Sequence, residues 1–184
     1  MQRCVFLDRD NTIIHNDGDL GDPDGVSLLE GAAEAMCRLR EAGFLLVVVT
    51  NQSGVARGVF TEQDVADVHA AIEHILKSTT GHSDLVQGWY YSPWHPEGVI
   101  ESFRGNHPTR KPNPGMLLQA AEDHDIELQR SWMIGDQERD VEAGNAAGCR
   151  SVLLASPGTA TSAEHTCETV AEAADWIMLA ESST

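Results

Sequence analysis

The sequence predicts one α/β domain, a doubly wound parallel sheet of five or six strands with helices on both faces. Three observations predict it. Short apolar runs rich in β-branched residues alternate along the chain with segments of helical periodicity. The 184 residues correspond to one domain on the usual scale of about 100–200 residues. The composition, 41% hydrophobic and 22% charged, is that of a globular protein rather than a disordered or fibrous one. Right-handed crossovers narrow the topology further, and ligands in such sheets sit at the carboxyl ends of the strands.

The elements follow in order. Cys4-Val5-Phe6-Leu7 reads as a buried strand, and Gly31–Glu41 as a helix with Ala35, Met36 and Leu39 on one face, stopped by Gly43. Phe44–Val49 is a second strand, rich in valine. Thr61 caps the next helix with Asp64 at the capping-box position, and Val65, Val68, Ile72, Ile75 and Leu76 form its inward stripe. Leu85–Tyr91 is a third strand. Asn113-Pro114 predicts a cap followed by proline at the first helical position, with the helix running through Asp123. Ser131–Gly135 is a fourth strand, Val141–Ala147 a helix ended by Gly148, and Arg150–Leu154 a fifth strand. Thr169–Ala180 closes the chain as an amphipathic helix. The predicted unit is one domain, 1–184, with its core in 3–155 and a C-terminal helix at 169–180.

Charge excludes several function classes. Twelve Lys+Arg stand against 29 Asp+Glu, a formal charge of −17, which argues against nucleic acid and anionic lipid as partners. No apolar run approaches the ~20 residues of a membrane helix, and an acid at position 8 interrupts any signal-peptide pattern. The four cysteines, Cys4, Cys37, Cys149 and Cys167, have no metal or disulfide spacing and read as reduced thiols. A cytoplasmic protein, monomeric and away from membranes, is expected. Asp17, Asp19, Asp22 and Asp24 invite a calcium-loop reading, but Leu28 stands where the twelfth-position glutamate belongs, so this stretch reads as a solvated flap.

The strand ends carry the chemistry: Asp8-Arg9-Asp10-Asn11-Thr12 after the first strand, Thr50-Asn51-Gln52-Ser53-Gly54 after the second, Arg110-Lys111-Pro112 ahead of the fourth, and Gly135-Asp136-Gln137-Glu138-Arg139-Asp140 after it. Asp8 and Asp10, two apart on extended chain, share a face. Mg²⁺ takes oxygen ligands, one or two carboxylates plus phosphate oxygens, and would offset the repulsion between Asp8 and Asp136. Lys111 adds positive charge and Thr50 a neutral donor. This set suits phosphoryl transfer, which rests on positioning and charge neutralisation. Asp8 is the candidate nucleophile, and Asp10 the group that protonates the leaving oxygen and then activates water.

These motifs resemble those of the haloacid dehalogenase (HAD) superfamily over residues 3–155: Asp8-x-Asp10-x-Thr12 its first, Thr50 its second, Lys111 its third, Asp136 and Asp140 its fourth. The resemblance implies a Rossmann-like core and Mg²⁺ held by the Asp8 side chain, the Asp10 backbone carbonyl and Asp136, with Asp140 behind them. Asp8-Arg9-Asp10, Thr50-Asn51-Gln52 and Arg110-Lys111-Pro112 resemble the subfamily of histidinol phosphatases and D-glycero-D-manno-heptose 1,7-bisphosphate 7-phosphatases. Gln52 through Thr61, with its Arg57-Gly58, is closer to the heptose enzymes. The implied activity is removal of the 7-phosphate of the heptose bisphosphate. Histidinol phosphate or another small polyol phosphate is the alternative substrate, and a non-catalytic phosphate-binding regulatory domain the alternative class. Asn51, Gln52, Ser53, Arg57 and Arg110 are the implied substrate contacts.

Two departures stand out. Asn11 replaces the usual glycine, and asparagine tolerates positive φ. The subfamily's loop is commonly stapled by zinc through Cys-x-His and Cys-x-Cys pairs. Here Ser92, Trp94 and Thr109 occupy ligand positions, with only His107, and nearby His95, able to substitute. No structural zinc is expected; prolines and a buried Trp94 are expected to hold the loop. Too few residues separate the motifs from the helices that follow for a cap domain. Specificity therefore falls to the flap at Ile13–Glu30 and the loops Gln52–Phe60 and Ser92–Arg110. Arg9, Arg57, Arg110, Lys111 and Arg139 gather at the motifs, so the global charge leaves room for a small sugar phosphate.

Overall fold

The structure, a computed structural model, describes residues 1–182. Six strands form one parallel sheet: β1 (Cys4–Leu7), β2 (Leu45–Asn51), β3 (Gly88–Ser92), β4 (Trp132–Gly135), β5 (Arg150–Leu154) and β6 (His165–Cys167). Their spatial order is β3-β2-β1-β4-β5-β6. The order reverses between β1 and β4, which places a crevice beyond their carboxyl ends. The connecting helices are α1 (Ala32–Glu41), α2 (Glu62–Thr80), α3 (Gly115–His124), α4 (Glu138–Ala147) and α5 (Val170–Ser182).

Side-chain alternation splits the core into two layers. Val5 and Leu7 of β1, Leu46 and Val48 of β2, and Trp132 and Ile134 of β4 face Met36, Ile72 and Ile177 of α1, α2 and α5. Cys4 and Phe6, Val47 and Val49, and Met133 face the other way, onto Met116 and Leu117 of α3 and Ala143 of α4. Both faces of each central strand are buried, which is why those strands read as unbroken apolar runs. Cys167, Val170, Ala173 and Ile177 join the first layer, so the core extends beyond residue 155.

Local rules explain most boundaries. Thr61 and Asp64 form the expected capping box on α2, and Gly81 and Gly148 end α2 and α4 in the left-handed region. Three expectations are corrected. Pro114 occupies the cap position of α3 rather than its first turn, and the Asn113 amide donates to the His107 carbonyl instead of capping. β3 starts at Gly88, not Leu85; Gln87 completes the ladder from outside, its N–H donating to Leu46 O and its side-chain oxygen accepting from Leu46 N. α4 begins at Glu138, three residues early, because Asp140 accepts from the Gln137 N–H and starts the helix within the acidic motif. β6 went unpredicted: three residues, two of them polar, carry no apolar run. Among the described residues, no helix is long and apolar enough to cross a membrane.

Candidate active site

Register assembles the site. Leu7 pairs with Val48 on one side and Ile134 on the other, so Asp8 stands level with Val49 and Gly135. The Asp8 N–H donates to Ile134 O (2.9 Å), fixing the chain as it leaves β1. Lys111 arrives from 103 residues away, and its ammonium hydrogen-bonds Asp8 Oδ1 (2.8 Å) and Val49 O (2.7 Å). Asp140 Oδ1 lies 2.7 Å from the same nitrogen, meeting it as an ion pair off the hydrogen-bond axis. Asp8, Lys111 and Asp140 are all buried. Gly135 makes this possible: a Cβ there would sit 2.4 Å from the Asp140 Cβ and Oδ2.

Burial sets the electrostatics. Asp8 is pushed up to about 7, by burial first; Lys111 opposes, and Asp140 and Asp10 add to the rise. Burial disfavours the Lys111 ammonium, but Asp140 and Asp8 outweigh it and hold its pKa above the usual value. Asp136 is raised by burial, its hydrogen bond from Gln137 opposing and Asp140 adding. Asp8, Asp136 and Asp140 bring carboxylate oxygens within 4.8 Å of one another, the one such metal-binding cluster among the described residues. A hard divalent cation fits this set: all donors are oxygens, Asp140 Oδ1 is buried without a hydrogen-bond donor, and one lysine does not balance three carboxylates.

Asp10 is held apart from that cluster. Its Oδ1 accepts from Arg9 Nε (3.1 Å) and Asn16 Nδ2 (2.9 Å), its Oδ2 from Gln52 Nε2 (2.7 Å) and Arg9 Nη2 (3.3 Å). Its side chain therefore supplies no oxygen to the carboxylate cluster, and the backbone carbonyl is the atom left for a metal. Asn11 sits at φ 56°, turning the chain back so that Asn16 can reach Asp10.

The cavity beside Asp8 has a volume of about 230 Å³. Asn51, Gln52, Ser53 and Arg57 line it; Arg110 and Thr50 do not. Two of these side chains are committed elsewhere. The Asn51 amide clasps the Lys111 backbone, donating to its O and accepting from its N–H (both 3.0 Å). Gln52 Nε2 bonds Thr50 Oγ1 (2.9 Å) as well as Asp10. Arg110 points to the Trp94 carbonyl (2.9 Å), and is lowered by burial and by the nearby Arg139 and Arg57 guanidiniums. The cavity also takes Asn16, Asp19 and Arg139. The signal for Arg139 was its place between Asp136 and Asp140; Asn16 and Asp19 lie in the flap, where spacing predicts nothing.

Hydrogen bonds and ring contacts tie the loop that carries the zinc-ligand positions. The Thr109 hydroxyl donates to Ser92 Oγ (3.2 Å) and lies 2.8 Å from His107 Nδ1. Trp94 stacks on His107 at 4.5 Å, with Phe103 edge-on at 5.9 Å. Trp94 is half-buried rather than buried; of the loop's prolines Pro93 is buried while Pro96 and Pro108 are exposed, so Pro93 and the aromatic stack together hold the loop. Its stack partner is a flat imidazole, which gives the indole a face without enclosing it.

A model of the HAD-hydrolase-like family matches residues 108–178. The D-glycero-beta-D-manno-heptose-1,7-bisphosphate 7-phosphatase of Salmonella typhi is 39% identical over 175 residues, covering 95% of this chain and 89% of that protein. The Escherichia coli K12 protein of the same name is also 39% identical, over 95% of this chain and 87% of its own. The D,D-heptose 1,7-bisphosphate phosphatase of B. bronchiseptica, solved with magnesium and phosphate, superposes with a TM-score of 0.82 at 27% identity, over 97% of this chain and 99% of that one. The chain belongs to the haloacid dehalogenase-like hydrolases and, within them, to the group of the heptose bisphosphate phosphatases.

Proposed function

We propose that this protein is a Mg²⁺-dependent phosphatase that removes the 7-phosphate of D-glycero-D-manno-heptose 1,7-bisphosphate. The observation that carries this reading is the Asp8 carboxylate, held at the cavity by Lys111 and grouped with Asp136 and Asp140. The names and identity of its relatives supply the substrate.

Asp8, Asp136 and, through its carbonyl, Asp10 would hold the metal, with Asp140 and Lys111 behind them. Bound Mg²⁺ neutralises charge between Asp8 and the phosphate oxygens. Asp8 attacks phosphorus through one oxygen, and the bond from phosphorus to the sugar oxygen breaks. Asp10, oriented by Arg9, Asn16 and Gln52, gives that oxygen its proton. Asp10 then takes a proton from water, the hydroxide attacks the aspartyl-phosphate, and phosphate leaves with Asp8 restored. Ser53, Arg57 and Arg139 line the cavity, and Arg110, close to both of these arginines, adds positive charge for a second phosphate. The chain acts as one capless domain, a cytoplasmic monomer whose −17 charge keeps it off polyanions.

The test is a panel of heptose bisphosphate, histidinol phosphate and simple polyol phosphates, assayed for phosphate release with Mg²⁺. The heptose bisphosphate should give the highest kcat/KM. Asp8→Asn should reduce release by more than about a thousandfold. A best rate on histidinol phosphate would overturn the substrate, and turnover by Asp8→Asn the nucleophile.

A further inference from the structure

Arg57 and Asp19 both line the cavity, Arg57 from the loop after β2 and Asp19 from the flap after β1. They form a forked pair, Nη1 to Oδ2 at 2.9 Å and Nη2 to Oδ1 at 2.5 Å. The fork takes the Nη1–Nη2 edge of the guanidinium, an edge that a phosphate would also use. One of the two arginines that line the cavity is therefore already paired with a carboxylate of the same chain. Both side chains remain partly exposed, 40% and 31%, so the pair is hydrated, screened by salt and exchangeable. Arg110 and Arg139 stand near Arg57, so a displaced pair leaves an electropositive patch rather than one lone cation.

We propose that Asp19 is a specificity-determining residue that moderates the preference for a bisphosphate: it occupies Arg57 in the free protein, so a second phosphate must displace it to gain that arginine. A second phosphate brings up to two charges and three acceptor oxygens to compete with one carboxylate. A hydroxyl brings no charge, leaves Asp19 in place, and meets a cavity wall with the arginine already neutralised. Asp19 thus narrows the gap between the two ligands: it competes with the second phosphate for Arg57 and leaves the monophosphate unopposed. This rests on the proposed sugar-bisphosphate reading, and it adds a residue that the motifs do not contain.

The experiment compares heptose 1,7-bisphosphate with heptose 7-phosphate on Asp19→Asn and Asp19→Glu. For Asp19→Asn the ratio of KM for the bisphosphate to KM for the monophosphate should fall about two- to fivefold, the size of an exposed pair. The fall should shrink in about 0.5 M NaCl. Asp19→Glu, which can still pair with Arg57, should restore the ratio. Direct binding of both sugars, measured by calorimetry with Mg²⁺ in the Asp8→Asn background, repeats the comparison without turnover. A ratio within 1.5-fold of wild type, or an equal shift for both sugars, overturns the role of Asp19 while phosphate release continues to support the function. No phosphate release, with tighter bisphosphate binding in the Asp19→Asn double variant, overturns the function and keeps Asp19. No binding of the bisphosphate at all overturns both.

Discussion

Lys111→Met removes the one cation buried with Asp8 and Asp140 while keeping the length and most of the volume of the side chain. The ammonium is 1% exposed and meets Asp8 at 2.8 Å, Asp140 at 2.7 Å and the Val49 carbonyl at 2.7 Å. Its loss leaves two buried carboxylates facing each other with no countercharge. Removing one partner of a buried ion pair costs about 3–5 kcal/mol. In a chain of this size each kcal/mol moves Tm by about 2–4 °C, so the metal-free variant should melt about 6–20 °C below the metal-free wild type. A cation bound by the native state alone restores stability as its concentration exceeds Kd, by about 2.7 kcal/mol at a hundredfold excess. Without Lys111, Mg²⁺ is the sole positive charge facing the carboxylates, so the rise in Tm from EDTA to saturating Mg²⁺ should be larger in the variant. Thermal melts of both proteins in EDTA and in Mg²⁺ measure all four values. A variant within about 3 °C of wild type in EDTA, or an equal Mg²⁺-induced rise in both, would refute the claim that Lys111 and the metal share the neutralisation of one cluster.

Four further outcomes are expected. His69 is buried on α2, stacked on Trp89 at 4.5 Å, and burial with the Arg9 charge lowers its pKa to about 3. The unfolded chain protonates it near 6.5, so its stabilising contribution is complete above that pH and is lost as pH falls from 6.5 toward 3. Between pH 6.5 and 5 the loss approaches about 2 kcal/mol; urea titrations of wild type and His69→Phe at both pH values should differ by that amount, and parallel pH profiles would count against it. Gly135→Ala places a methyl group 2.4 Å from Asp140 and should lower kcat more than tenfold while the fold, read by circular dichroism, persists; wild-type kcat would show that Asp140 tolerates displacement. Trp94→Ala removes the stack on His107 and loosens the loop whose Trp94 carbonyl holds Arg110, so KM should rise several-fold; metal analysis of dialysed wild type should find no stoichiometric zinc.

The sheet and the carboxylate motifs were legible because parallel strands buried on both faces must be apolar throughout, and a chain leaving such a strand can place polar groups only at its end. Cys4–Leu7 and Arg150–Leu154 are bounded as read. β6 was not legible, because a three-residue edge strand takes its stability from its neighbour β5 rather than from its own pattern. Nor was the division of labour among site residues. Asn51 and Gln52 look like ligand contacts in a linear motif, yet their amides hold Lys111, Thr50 and Asp10. Asp19 looks like one of several flap acids until the fold sets it against Arg57.

By itself the sequence determined the fold class and pointed to the strand ends, with Asp8, Asp10, Lys111 and Asp136 as the candidate carriers of the chemistry. These follow from local periodicity and from residue types with few other uses at such positions. Only the tertiary structure decided which charges meet. It grouped Asp8, Asp136 and Asp140, separated Asp10 from them, turned Arg110 toward the Trp94 carbonyl, and closed Arg57 with Asp19. Coulombic and hydrogen-bond partnerships act over a few ångströms between residues tens of positions apart, so no spacing in the chain encodes them; the register of β1 against β2 and β4 does.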